Sequence, residues 1–162
     1  MTSAPQNLKT LSRIVHASAV VHRGIGFLFT GRSAAGKSDL TLRVLDQGGS
    51  LIADDQVLLQ EEKGKLLASA PTPIKGLVEI RGLGLFEFPH LDHFPLSYEV
   101  RLRGQGSLER LPETQENVSY LGVKLPIFYM TGRESSDLAK LNLLVNRAAQ
   151  TPEEGVYRYQ VI

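Results

Sequence analysis

Gly31-Arg32-Ser33-Ala34-Ala35-Gly36-Lys37-Ser38 fits the pattern G-x-x-x-x-G-K-[ST] at every fixed position. The apolar run 25–30 precedes this stretch, and residues 39–45 follow it with the character of a helix. The pattern binds phosphate where a strand leads into it and a helix leaves it. Both flanks are of the required kind, so the stretch predicts a phosphate-binding loop for a nucleoside triphosphate. The alternative is a glycine-rich strand-to-helix turn that fits the pattern by chance.

Each residue type in the loop has a physical role. Gly31 and Gly36 let the backbone bend, so that successive N–H groups point at the phosphates beside the positive end of the helix dipole. Lys37 is long enough to reach the β- and γ-phosphates, and the Ser38 hydroxyl is a ligand for Mg²⁺. We therefore expect residues 31–38 to bind ATP, with Ser38 at the metal.

Composition excludes several classes of protein. The 162 residues suit one domain with a buried core, and the net charge of +1 gives no strong field for nucleic acid or an anionic membrane. The absence of cysteine excludes disulfides, thiolate nucleophiles and cysteine-ligated zinc. Residues 1–7 do not resemble a signal peptide, and no apolar run approaches the roughly 18 residues that span a bilayer. We expect a cytoplasmic protein without nucleic-acid or membrane partners.

Hydrophobic patterns place the loop in a strand-rich α/β domain. Strands are predicted at 14–21 and 25–29, and a helix from Lys37 to the glycine pair 48–49 follows the loop. The remaining elements are strands at 50–53, 96–102, 118–123 and 125–130, a strand or turn that begins with 77–80, a hairpin of 56–60 with 66–70, and a last helix capped by residues of 132–137. We expect one domain over 1–162, with its core at about 14–149 and two main helices packed on the strands.

Asp54 and Asp55 follow the apolar strand 51–53 directly. Phosphate-loop proteins place a metal-binding acid at such a strand end. Neighbouring side chains of an extended chain diverge, so one carboxylate can face Mg²⁺ with Ser38 while the other faces an acceptor hydroxyl. The alternative is a solvated pair of acids in a turn.

Three further polar residues are candidates, each with a plainer alternative. Glu79 lies between two apolar residues of a predicted strand and should point to the opposite face from them; it would otherwise be a surface glutamate. His16 lies on the first predicted strand, where a histidine is more often a satisfied structural residue. Arg110 lies in 104–112, which mixes glycine, serine and charge without periodicity and so predicts a mobile loop. An exposed, solubilising arginine is the alternative there.

Taken together, these residues resemble the catalytic domain of bacterial HPr kinase/phosphorylase over about 14–149. The resemblance is carried by His16, by the loop 31–38, and by three segments: Leu51-Ile52-Ala53-Asp54-Asp55, Val78-Glu79-Ile80-Arg81-Gly82-Leu83-Gly84-Leu85 and Leu121-Gly122-Val123-Lys124-Leu125-Pro126. It implies a P-loop kinase fold of the HPr kinase/PEP carboxykinase type. It also implies an ATP- and Mg²⁺-dependent enzyme that phosphorylates a serine of the phosphocarrier HPr in a phosphotransferase system.

The resemblance also implies roles for individual residues. Asp55 is implied as the base that takes the proton from the substrate serine, with Asp54 on the metal side. Glu79 is implied as a second carboxylate at the metal. His16 matches the family's catalytic-site histidine and could hydrogen-bond one aspartate and tune its proton affinity. Arg110 coincides with a loop arginine that approaches the transferring phosphate.

The sequence differs from long members of that family in two respects. They carry an N-terminal domain, which we expect this chain to lack, and they continue beyond the last helix. They also have a glycine-rich stretch that the resemblance ties to the reverse, phosphorolytic reaction, where this chain reads Phe86-Glu87-Phe88-Pro89-His90-Leu91-Asp92-His93-Phe94-Pro95. We therefore expect kinase activity with weak or no phosphorylase activity, and we leave homo-oligomer formation open.

Two other classes of function stay open from the sequence. One is a P-loop ATPase or small-molecule kinase, against which the Glu-Ile-Arg-Gly-Leu-Gly signature weighs. The other is a nucleotide sensor without catalysis, against which the presence of Lys37, Asp54 and Asp55 together weighs.

Overall fold

Strands dominate the computed structural model, which describes residues 11–104, 108–111, 113–152 and 154–160. Within these residues the order of elements is β1 (Ser12–His16), β2 (Ser18–His22), β3 (Ile25–Gly31), α1 (Lys37–Asp46), β4 (Ser50–Ala53), β5 (Gln56–Glu62), β6 (Lys65–Ser69), a 3-10 turn (Thr72–Ile74), β7 (Leu77–Ile80), β8 (Gly84–Glu87), β9 (Phe94–Leu102), β10 (Asn117–Tyr120), β11 (Val123–Met130) and α2 (Asp137–Ala148). The predicted strand-rich α/β fold with two main helices is confirmed.

One large sheet carries the phosphate loop. Its strands follow the order β1-β5-β6-β9-β3-β2-β4, with β11 paired to β9 and β10 paired to β11. Strand β2 is antiparallel to both β3 and β4, so β3 and β4 run in the same direction. The loop after β3 and the acid pair after β4 therefore leave the same edge of the sheet. Strands β7 and β8 form a separate two-stranded hairpin.

Apolar side chains cover both faces of β3. Phe27 and Phe29 pack with Leu40 of α1 and Leu141 of α2, whereas Leu28 points to the other face and packs with residues of β5 and β6. This alternation follows from the two-residue repeat of a strand. Because β3 is buried on both faces, the position at which the phosphate loop begins is fixed.

Several predicted boundaries are confirmed. Strand β4 covers 50–53, the hairpin of β5 and β6 falls on the predicted segments, and α1 begins at Lys37. The helix ends at Asp46 because Gly48, at φ +87°, donates its N–H to Leu45 O, and the Gly49 N–H bonds to Val44 O at 2.9 Å. This is the glycine-dependent helix end that the pair 48–49 predicts.

The prediction of one continuous strand over 14–21 was wrong. The chain is interrupted at Ala17, so that β1 pairs with β5 while β2 pairs with β4. The Ala17 N–H bonds to Asp55 O at 3.2 Å, across from the acid pair that separates β4 from β5. The break is thus set by a partner segment almost forty residues away, which the local pattern does not contain.

Two further boundaries also differ from the predictions. The turn between β10 and β11 lies at Leu121–Gly122, where φ is +50° and +80°. The predicted strands 118–123 and 125–130 therefore placed the boundary between them too close to the C-terminus. Strand β8 was not predicted, because its residues are exposed and show no alternation. It forms by pairing with β7.

The predicted mobile loop 104–112 is described only in part. Residues 105–107 and 112 lie outside the described residues, and residues 104 and 108–111 are in neither helix nor strand. Neither described helix is long and apolar enough to cross a membrane.

The two-sided burial of β3 generates a stability prediction. Leu28→Ala should lower the free energy of unfolding by about 3 kcal/mol, because the side chain is fully buried in the apolar layer that it shares with β5 and β6. Leu143→Ala is the matched control, since Leu143 is 52% exposed on α2 and should change stability by less than about 0.5 kcal/mol. Urea denaturation measures both. Equal effects of the two substitutions would contradict the layer assignment.

Candidate active site

The phosphate loop begins at the last residue of β3 and ends with the first two residues of α1, as its flanks predicted. Gly31 and Gly36 have φ values of +145° and +107°. A Cβ at Gly31 would lie 2.6 Å from Leu102 O, and one at Gly36 would lie 2.7 Å from Gly132 O. Both glycines are therefore required by backbone conformation and by close packing.

Lys37 lies across the loop rather than pointing away from it. Its Nζ donates hydrogen bonds to Gly31 O at 2.8 Å and to Arg32 O at 2.9 Å. Burial lowers the pKa of Lys37, and the nearby carboxylates of Asp55 and Asp54 oppose that shift only in part. The ammonium group is thus held against the first two residues of the loop, near the carboxylates of Asp54 and Asp55.

Ser38 and Asp54 come together at the start of α1. The Ser38 hydroxyl donates to Asp54 Oδ1 at 3.0 Å, and the Ser18 hydroxyl of β2 donates to the same oxygen at 2.7 Å. The Asp54 residue is only 7% exposed. A hydroxyl and a carboxylate in contact are the oxygen ligands that Mg²⁺ takes in phosphate-transfer sites, so these residues fit that ion.

Asp55 points away from Asp54 and toward solvent. A three-residue turn closed by the Gln56 N–H to Asp54 O bond (2.9 Å) places Asp55 at φ +70°. Its Oδ1 lies 3.3 Å from His16 Nδ1, and its side chain is 70% exposed. The two carboxylates therefore diverge, one buried beside Ser38 and the other open to an incoming molecule.

The segment 16–18 positions both acids. His16 contacts the Asp55 side chain, the Ala17 N–H bonds to the Asp55 carbonyl, and Ser18 bonds to the Asp54 side chain. The interruption between β1 and β2 therefore lies opposite the interruption between β4 and β5. The two breaks together bring the polar side chains to one edge of the sheet.

A cavity of about 700 Å³ opens on the other side of the loop, beside β9 and β11. The fully buried Glu99 is among its lining residues, and its carboxylate accepts hydrogen bonds from Arg101 and the Tyr120 hydroxyl. Burial, followed by the bond to Glu99, raises the pKa of Tyr120 well above its ordinary value. Arg32 and Arg103 also line the cavity, so the space next to the loop is positively charged.

Two predicted site residues are not brought into contact with the others. Glu79 is exposed on β7 while its neighbour Val78 is buried, as the pattern predicted. In the described part of the chain, no hydrogen bond or ion pair joins Glu79 to Asp54 or Ser38. Arg110 is exposed in the irregular segment 108–111. Their assignments to the metal and to the phosphate stay predictions.

Sequence reasoning missed Ser18 and Arg133. Ser18 is a lone hydroxyl between two alanines of a buried strand, which is a detectable signal for a buried hydrogen-bond partner. Arg133 donates from its guanidinium to Ala34 O in the middle of the loop. Nothing in the local sequence marks that contact, because it joins residues about one hundred positions apart.

Comparison with known proteins identifies the family to which this site belongs. The family model described as the HPr Serine kinase C-terminal domain matches residues 8–94, which contain the loop, the acid pair, His16 and Glu79. This chain is a member of the HPr serine kinase C-terminal domain family.

Individual relatives agree with that assignment. The chain is 36% identical over 106 residues to an HPr kinase/phosphorylase of Clostridium tetani, covering 65% of this chain and 34% of the relative. It is 35% identical over 136 residues to one of Geobacillus kaustophilus, covering 77% and 44% respectively. The chain therefore spans less than half the length of these curated relatives. Similarity also extends to the solved structure of the Hpr(Ser) kinase/phosphatase from Coxiella burnetii, with a TM-score of 0.73 at 24% identity, covering 84% of this chain and 97% of that one, which supports the fold.

The position of Lys37 generates a prediction about protonation. Asp55→Asn removes one of the charges that favour the ammonium form, so it should lower the pKa of Lys37 further. A pH titration of the lysine Cε signal by NMR measures this shift. Between the lowered pKa of Lys37 in the folded protein and its ordinary value of about 10.4, the unfolded chain binds more protons. The contribution of this group to stability therefore rises with pH in that range.

Asp46→Asn is the control, because Asp46 is exposed at the far end of α1. This substitution should leave the pKa of Lys37 unchanged. An unchanged or raised pKa in Asp55→Asn would contradict the electrostatic assignment.

Proposed function

We propose that this chain is a Mg²⁺- and ATP-dependent protein serine kinase that phosphorylates an HPr-like phosphocarrier protein. The observation that carries the proposal is the divergence of two adjacent carboxylates, with Asp54 buried against Ser38 and Asp55 exposed beside His16. Protein kinases use one carboxylate at the metal and another at the acceptor hydroxyl. The family to which the chain belongs, and its similarity to HPr kinase/phosphorylases, support the same activity.

The nucleotide phosphates would bind in the loop 31–38. Its backbone N–H groups and the positive end of α1 would hold the phosphates, and Lys37 would turn from the loop carbonyls to the transferring phosphate. Ser38 and Asp54 would hold Mg²⁺, which supplies charge neutralisation at the phosphates when bound. Glu79 would add a second carboxylate to the metal if the β7–β8 hairpin brings it there.

The acceptor serine would approach from the side of Asp55. Asp55 would accept the proton of the serine hydroxyl while the serine oxygen bonds to the γ-phosphorus and the bond from that phosphorus to the bridging oxygen of ADP breaks. His16 would hold the Asp55 carboxylate in place through its Nδ1, 3.3 Å away. Arg110 would approach the transferring phosphate.

The rest of the proposal concerns setting and partners. We propose a single P-loop catalytic domain over 1–162 that works in the cytoplasm without nucleic acid or membrane. The forward reaction should dominate, because residues 86–95 lack the glycine-rich stretch linked to phosphorolysis. Homo-oligomer formation is compatible with the exposed apolar residues of the β7–β8 hairpin, Leu83, Leu85 and Phe86.

A small-molecule kinase and a nucleotide sensor without catalysis are the competing functions. A small-molecule kinase would transfer phosphate to sugars or nucleosides and not to a carrier protein. A sensor would bind ATP and transfer nothing. Incubating the protein with Mg-ATP, a panel of purified phosphocarriers and a panel of small acceptors separates all three.

Substitutions in the two halves of the site should separate binding from chemistry. Lys37→Ala should abolish tight ATP binding and transfer, because the loop loses its only lysine. Asp55→Asn should bind ATP normally but transfer phosphate about 10²–10⁴-fold more slowly, since a general base usually contributes that much. Calorimetry measures affinity, phosphoserine formation measures rate, and thermal melting checks the fold.

Asp46→Asn, which changes another exposed carboxylate outside the site, should leave both quantities unchanged. Near-normal transfer by Asp55→Asn would remove that residue from the proposed chemistry. Unchanged ATP affinity in Lys37→Ala would remove the loop from it.

The reverse reaction gives a separate prediction. The serine-phosphorylated carrier, incubated with inorganic phosphate and this protein, should release little pyrophosphate compared with the forward turnover. An enzyme-coupled pyrophosphate assay measures the product. Rapid pyrophosphate release that depends on the protein would show that phosphorolysis does not need the glycine-rich stretch.

A further inference from the structure

The turn between β11 and α2 packs directly on the phosphate loop. In this turn, residues 131–134, Gly132 has φ +86°, and a Cβ there would lie 2.4 Å from Ala35 O. In the opposite direction, a Cβ at Gly36 would lie 2.7 Å from Gly132 O. The two backbones touch with no side chain between them, so the position of the turn limits the positions open to the loop.

Arg133 makes the one side-chain hydrogen bond that the described structure shows to the middle of the loop. Its Nη2 donates to Ala34 O. Ala34 has φ +66°, a left-handed conformation that is strained for an alanine and persists only where its surroundings impose it. The bond from Arg133 is a specific interaction that holds this conformation.

The orientation of one peptide group follows from that bond. The peptide joining Ala34 to Ala35 is planar and trans, so its C=O and N–H point in opposite directions. Arg133 holds the C=O outward, and the Ala35 N–H therefore points inward, where it bonds to Arg32 O at 3.0 Å. A phosphate bound in the loop would take this N–H in exchange for Arg32 O.

The turn is itself fastened to α1. Arg43 donates to Gly132 O at 2.9 Å and to Glu134 O at 3.0 Å. Its guanidinium also lies 3.8 Å from the fully buried Asp137, which accepts the Glu134 N–H at 3.1 Å. The helix that leaves the loop thus fixes the turn that carries Arg133.

We infer that Arg133 is a positioning residue for the nucleotide phosphates, acting by fixing the Ala34–Ala35 peptide with its N–H toward the phosphate. The inference rests on the proposed function, which places those phosphates in the loop. In this role Arg133 acts on the phosphates and does not contact the nucleoside. The affinity for any polyphosphate should therefore depend on Arg133, whether or not a nucleoside is attached.

The test compares two ligands and three substitutions. Arg133→Met removes the donor and keeps the chain length, Arg133→Lys keeps one donor, and Arg23→Met changes an exposed arginine in the β2–β3 turn, at the opposite end of β3 from the loop. Calorimetry should show Arg133→Met weakening Mg-ATP and Mg-tripolyphosphate by the same factor, roughly tenfold. Arg133→Lys should recover most of this loss, and Arg23→Met should change neither affinity.

A second measurement needs no nucleotide. Hydrogen exchange at the Ala35 amide of the free protein should be faster in Arg133→Met and unchanged in Arg23→Met, while the melting temperatures stay close. Unchanged exchange together with unchanged affinities would overturn the inference. Loss of ATP affinity alone, with tripolyphosphate unaffected, would also overturn it, because it would show a nucleoside contact.

Failure of the proposed function looks different from failure of this inference. If the unaltered protein bound neither ligand, or if Lys37→Ala bound both as tightly, the nucleotide assignment of the loop would fail. The exchange rate at Ala35 would still report whether Arg133 fixes the peptide.

Discussion

The buried carboxylate of Asp54 joins three elements that have to be held together for a site to exist. It accepts hydrogen bonds from Ser18 on β2 and Ser38 on α1, and it is carried by the end of β4. A carboxylate taken out of water is stable only where such partners satisfy it, so the hydroxyls and the acid constrain one another. The phosphate loop lies between β3 and α1. The hydrogen bonds of Asp54 with Ser18 and Ser38 set the distance of this loop from the acid pair after β4.

The divergence of the two acids depends on that constraint and on the turn at Asp55. Because the side chain of Asp54 is fixed inward, the turn at φ +70° sends the next side chain outward, where His16 meets it. Residues held in rarely populated backbone regions tend to occur where the surrounding structure imposes them. Here these contacts come from residues 16–18. In that same segment the chain changes its pairing partner from β5 to β4. Two interruptions in facing strands thus produce one pair of carboxylates with opposite environments.

Sequence reasoning succeeded where the signal was local and failed where pairing was distant. The loop flanks, β4, the hairpin of β5 and β6 and the end of α1 follow from neighbouring residues, and the structure confirms them. The break at Ala17 and the contact of Arg133 with Ala34 depend on partners far along the chain, which no window of sequence contains. Strand β8 pairs with its neighbour β7, and it was missed because its exposed residues show no alternation. The exposure of Glu79 on the face opposite Val78 was predictable from alternation. Its position relative to Asp54 depends on where the separate β7–β8 hairpin lies, which alternation does not predict.

The hydrogen bonds of Lys37 to two carbonyls of its own loop have an energetic consequence. The ammonium group ties the first two residues of the loop to the start of α1. A phosphate that entered would find its binding groups preorganised and would lose little entropy in ordering them. It would, however, compete with two neutral acceptors for the same ammonium. The net affinity would therefore depend on the exchange of two carbonyl oxygens for phosphate oxygens at the ammonium group. This exchange favours ligands that carry more negative charge than a peptide carbonyl.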